Sequence, residues 1–79
     1  MISREESRFI EDGARDVKKI SRNTYEIIFD EAKARVERSG MFHIIHLTRG
    51  NGNKTLITCS TEEDLHLMLK SIAGTFIYL

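Results

Sequence analysis

The sequence predicts a single α+β domain. Two N-terminal helices are followed by a β-hairpin, a third helix and a C-terminal strand, and the three strands form a largely antiparallel sheet. Three observations carry this prediction. The composition, 41% hydrophobic and 30% charged with no proline, is that of a chain that folds. Cap-like pairs precede the apolar-periodic stretches. From Met41 onward the residues turn β-branched and aromatic around RGNGNK, a glycine- and asparagine-rich turn. The 79 residues make one domain, 1–79, near the size at which one apolar core barely offsets chain entropy.

Ser3 and Glu6 have capping-box spacing and start the first helix. Ile10, Gly13 or Ala14, Val17 and Ile20 continue it as a narrow apolar stripe. Arg15, Lys18, Lys19 and Arg22 then fall toward the negative end of its dipole. The small residues at 13 and 14 would let another element approach closely. A second helix over 24–39 is capped by Asn23 with Glu26, shows Tyr25, Ile28, Phe29, Ala32 and Val36 on one face, and ends at Gly40. The competing reading makes TYEIIF a strand with Tyr25, Ile27 and Phe29 inward, followed by a short helix from Asp30. The second part then has the βαββαβ order of a ferredoxin-like fold with an added N-terminal helix, a topology that carries no function with it.

The hairpin spans roughly 41–49 and 54–60. Ser60 with Glu63, or Thr61 with Asp64, caps the third helix, whose stripe is Leu65, Met68, Leu69 and Ile72 and which Gly74 ends. TFIYL reads as the last strand, with Phe76 and Tyr78 on one face. Alternation in the strands is imperfect, because Phe42 and Ile44 oppose Ile45 and Leu47. Both sheet faces are therefore expected to be covered, by helices on each side or by a second copy or partner.

Three histidines and one cysteine raise the question of a metal or a nucleophile. In a strand, His43 and His46 point to opposite faces and cannot share an ion. Cys59 falls roughly opposite Ile44, or opposite His43 if the register slips by one, so it joins only one histidine. Zinc takes three or four protein ligands, which leaves no metal site and no cofactor expected. A Cys59–His46 nucleophile lacks an oxyanion hole and an orienting third group, and RGNGNK lies in a hairpin, away from any strand-to-helix phosphate loop. Glu62, Glu63 and Asp64 suit the first turn of a helix on dipole grounds alone. No catalytic residues are assigned, and an enzyme is not expected.

Twelve basic residues balance twelve acidic ones, nine of each sign in residues 1–40 and three of each in 41–79. This lacks the basic excess of a protein held mainly by phosphates. A single cysteine makes no internal disulfide, MISREESRF lacks a signal-peptide apolar stretch, and no apolar run approaches the ~18 residues of a membrane span. The expectation is a cytoplasmic interaction protein that regulates or inhibits another macromolecule, as many free-standing chains of this size do, phage and mobile-element accessory factors among them. The partner is another protein or a second copy in a homodimer. Tyr25, Phe42, Phe76 and Tyr78 are the apolar interface candidates. The alternative is a nucleic-acid binder, using Arg49, Asn51, Asn53 and Lys54 at the hairpin tip with Arg15, Lys18, Lys19 and Arg22.

Overall fold

The computed structural model describes residues 3–74. Within them the order is α1 (Arg4–Glu11), β1 (Asp16–Ser21), β2 (Thr24–Ile28), β3 (Ala32–Ser39), β4 (Phe42–Arg49), β5 (Lys54–Cys59) and α2 (Glu62–Gly74). The five strands form one antiparallel meander in sequence order. This corrects the expected three-stranded sheet behind two N-terminal helices. It also excludes the ferredoxin-like order, since β2 runs through a tight turn into β3 with no helix between them. TFIYL, with Phe76 and Tyr78, lies outside the described residues.

The first helix starts where its cap predicts, with Ser3 Oγ accepting from the Glu6 N–H at 3.1 Å. It stops roughly three turns before the expected end near Arg22, because Gly13 adopts φ +114°. The Ala14 N–H then donates to the Phe9 carbonyl and the Gly13 N–H to the Ile10 carbonyl, the paired bonds of a Schellman stop. Val17 and Lys19 consequently face the sheet's covered side from an edge strand, opposite Ile27 and Tyr25, and Arg15, Lys18, Lys19 and Arg22 do not form a helix end.

Residues 24–39 form two strands. Tyr25, Ile27 and Phe29 point inward at period two, as do Ala34 and Val36, while Lys33 and Arg35 point out. Gly40 at φ +62° and Met41 make the two-residue turn into β4, where glycine supplies the positive angle that a II′-type hairpin needs. The hairpin β4–β5 and helix α2 lie close to their expected spans, with Thr61 Oγ1 accepting from the Asp64 N–H.

Both helices pack on the same face of the sheet. Ile27, Ala34, Ile45 and Leu69 are fully buried there, with Phe9, Leu47, Leu65 and Ile72 around them in one core. The opposite face has no covering layer within the described residues, which corrects the expectation that helices divide between the two faces. Phe42 and Leu56 are 50% and 64% exposed on it. No helix among the described residues is long and apolar enough to cross a membrane.

Candidate functional site

The strand register gives the sheet two ends. One holds the β1–β2 and β3–β4 turns, and the other holds the β2–β3 turn and the β4–β5 hairpin tip. At the first end, α1, the β1–β2 turn, the ends of β3 and β4, and the first turns of α2 enclose a cleft of about 180 Å³. Its place follows from the fold. The Arg38 N–H donates to the Asn23 carbonyl at 2.9 Å, which ties the β1–β2 turn to the end of β3. The Schellman stop joins α1 to the start of β1 at the other end, so the N-terminal turns of α1 reach the cleft.

Aromatic rings form the floor. Phe9 is buried and meets Tyr25 edge to face at 5.3 Å between centroids and His66 at 5.5 Å. Lys19 Nζ lies 5.9 Å from the centre of the Tyr25 ring on the neighbouring edge strand. Of the apolar interface candidates, Tyr25 is 7% exposed and belongs to the core and the cleft floor.

Arginines form the rim. Arg4 and Arg8 come from α1, Arg22 from the β1–β2 turn and Arg38 from β3. Arg38 pairs with Glu62 at 2.8 Å. Among the described residues no acid lies within ion-pair distance of Arg4, Arg8 or Arg22. Arg4 and Arg8 stand four apart on one helix face, where like charges repel.

Beneath the rim, His66 Nδ1 meets Asp12 Oδ2 at 2.5 Å, joining α2 to the C-cap of α1. The two side chains are 10% and 2% exposed. His43 lines the cleft from β4 and is directly opposite Cys59 in the register. Burial, then the nearby Arg38 charge, holds the His43 imidazole below its ordinary pKa, while burial pushes the Cys59 thiol up. Both directions favour the neutral forms, the reverse of a thiolate–imidazolium nucleophile. His46 lies on the uncovered face, as the strand spacing predicts, and no group of three or more metal-ligating side chains forms among the described residues.

The residues expected to bind are distributed over the molecule. Arg49, Asn51, Asn53 and Lys54 lie at the far end of the sheet, where Asn51 Oδ1 accepts from the Asn53 N–H and so shapes its own turn. Arg15 is at that end too, paired with Asp30 at 2.5 Å. Lys18 and Lys19 point to opposite faces of β1. Because β1 and β5 are opposite edges, four strand spacings of ~4.8 Å separate the two basic groups, roughly 19 Å. Arg22 alone of the eight lines the cleft. Sequence reasoning passed over Arg4, Arg8, Arg38 and Asp12. The i, i+4 arginine pair in α1 was the one local signal available for them.

The uncovered face offers a second surface, a shallow depression lined by Glu26, Lys33, Arg35, His46, Thr48 and Lys54. Its charges are mixed: Lys33 lies 4.0 Å from Glu26, while Arg35 and Lys54 have no acid within ion-pair distance among the described residues. Compared with known proteins, the chain matches no family model, no curated protein and no solved structure.

Proposed function

We propose that the protein is a small, non-catalytic interaction protein of the cytoplasm that regulates another protein by seating an acidic group of that partner in the arginine-lined cleft. The observation that supports this reading is the convergence of Arg4, Arg8 and Arg22, none with an acidic partner among the described residues, on a cavity with an aromatic floor. A charge-assisted hydrogen bond from a guanidinium to an acidic group is worth about 1.5–3 kcal/mol, and less where, as at Arg4, Arg8 and Arg22, the side chain is exposed to solvent. The neutral states favoured at Cys59 and His43 are the reverse of an activated thiolate–imidazolium pair, and a free buried cysteine fits a reducing compartment. Nucleic-acid binding through the hairpin tip and β1 requires two basic groups on opposite sheet edges to act together.

The test is a nitrogen-15 NMR titration of the intact protein with a short poly-glutamate peptide and, separately, with a short DNA duplex. Shifts at residues 4–9, 22–23, 38 and 43 with the peptide support the reading, and Arg8→Gln should weaken that binding about tenfold. Shifts confined to residues 49–54 and β1 with the duplex would instead establish the nucleic-acid role and overturn it.

A further inference from the structure

We propose, building on the cleft as the binding site, that its ligand is a phosphate monoester carried on a partner protein chain, and that the cleft selects it over a carboxylate. Charge is the first reason. Arg4, Arg8, Arg22 and Arg38 set against Glu5 and Glu62 leave an excess of two positive charges, four minus two, around one opening. A phosphate monoester carries about −1.5 to −2 at pH 7, whereas a glutamate carries one charge. Geometry is the second. The guanidinium forks come from three separate elements, α1, the β1–β2 turn and β3. A monoester offers three terminal oxygens to donors arriving from different directions, while a planar carboxylate is satisfied by one fork.

Size is the third reason. At about 180 Å³ the cleft is smaller than the roughly 300–1,000 Å³ pockets that enclose whole small ligands. It therefore takes a head group and leaves the molecule bearing it outside, as a phosphorylated side chain requires. The like charges of Arg4 and Arg8, one helical turn apart beside Glu5 at the same opening, are the fourth, because a dianion between the two would offset their repulsion. A nucleic-acid backbone fits less well. Its phosphates are diesters with one charge each, roughly half to two-thirds of the charge a monoester carries.

Isothermal titration of the intact protein with four probes tests this. They are a phosphoserine peptide, the same peptide with glutamate at that position, inorganic phosphate, and a 5′-phosphorylated oligonucleotide. The phosphopeptide should bind at least about tenfold more tightly than the other three. Arg8→Gln and Arg22→Gln should each weaken it about tenfold, with Arg22→Lys restoring only part of the loss because the fork is gone. Arg49→Gln at the hairpin tip should leave it unchanged, and an unaltered thermal transition by circular dichroism checks that the variants fold. Equal binding of the glutamate peptide overturns the phosphate selectivity while the acidic-partner reading stands. Tightest binding by inorganic phosphate or by the oligonucleotide overturns the protein-borne source. Heat with none of the four overturns the cleft as an anion site, and the proposed function with it.

Discussion

Asp12 and His66 are 54 positions apart in sequence and touch in the fold, and each is nearly sealed from water. Removing one member of such a pair leaves the other buried without its partner, a change that costs about 3–5 kcal/mol, even though the intact pair contributes little net stability over apolar packing. His66→Ala should therefore lower the urea midpoint by an amount equivalent to about 3 kcal/mol, and the double variant Asp12→Leu with His66→Leu should recover most of it. His43 adds a pH dependence of defined sign. Its folded pKa lies below the ordinary value of 6.5, so the unfolded chain binds the proton more readily. This contribution is fully present above about pH 6.5 and is lost as pH falls through the folded value. Denaturation curves collected between pH 7.5 and 5 should show that loss in the wild type, and His43→Gln should flatten it relative to the wild type. A wild-type profile no steeper than that of the variant would contradict the burial assigned to this ring.

The elements differ in how far the sequence revealed them. The start of α1, the β4–β5 hairpin and α2 were legible because caps, glycine-rich turn chemistry and an i, i+4, i+7 stripe mark them locally. Residues 24–39 were legible only in part. The strand reading of TYEIIF, with Tyr25, Ile27 and Phe29 inward, matches β2. The helix expected over 24–39 and the short helix from Asp30 do not form, and spacing could not exclude the first, because Tyr25, Phe29, Ala32 and Val36 lie on one helical face and are equally spaced for two inward-facing strands. The Asp30–Glu31 turn between those strands carries neither glycine nor proline to punctuate it. Gly13 was read for its small size when its backbone angle mattered as much. It ends α1 at φ +114°, and a Cβ built on it would stand 2.5 Å from the Ala73 Cβ of α2. Gly13→Ala thus meets two separate obstacles, the disfavoured angle and the clash, and should cost at least about 2 kcal/mol. Adding Ala73→Gly removes the clash and leaves the angle, so chemical denaturation of the double variant should show partial recovery only. Full recovery would mean that the backbone angle contributes nothing.

At the scale of the whole molecule, a five-stranded sheet with both helices on one side leaves one corner of its covered face open, and the cleft occupies that corner. Its residues come from positions 4 to 66 and share no spacing, so a reading of local patterns could not assemble them. A net charge of zero concealed the local excess in the same way. If the cleft binds an anion as proposed, its gathered like charges should carry a stability cost without ligand, and this separates it from an ordinary charged surface. Arg4→Gln and Arg8→Gln change helix propensity little and remove the i, i+4 repulsion, so each should raise stability without ligand by about 0.2–0.5 kcal/mol. Each should also reduce the stabilisation gained on adding the phosphoserine peptide, which for the wild type grows with the logarithm of ligand concentration over its Kd. On the uncovered face, Leu56→Thr should change stability by no more than about 0.5 kcal/mol and leave the ligand response intact. Urea denaturation of these variants with and without the peptide measures both effects. Opposite signs at the two arginines, with neither effect at Leu56, identify the cleft as a site maintained against stability. A loss of stability in both arginine variants without ligand would show instead that these side chains support the fold.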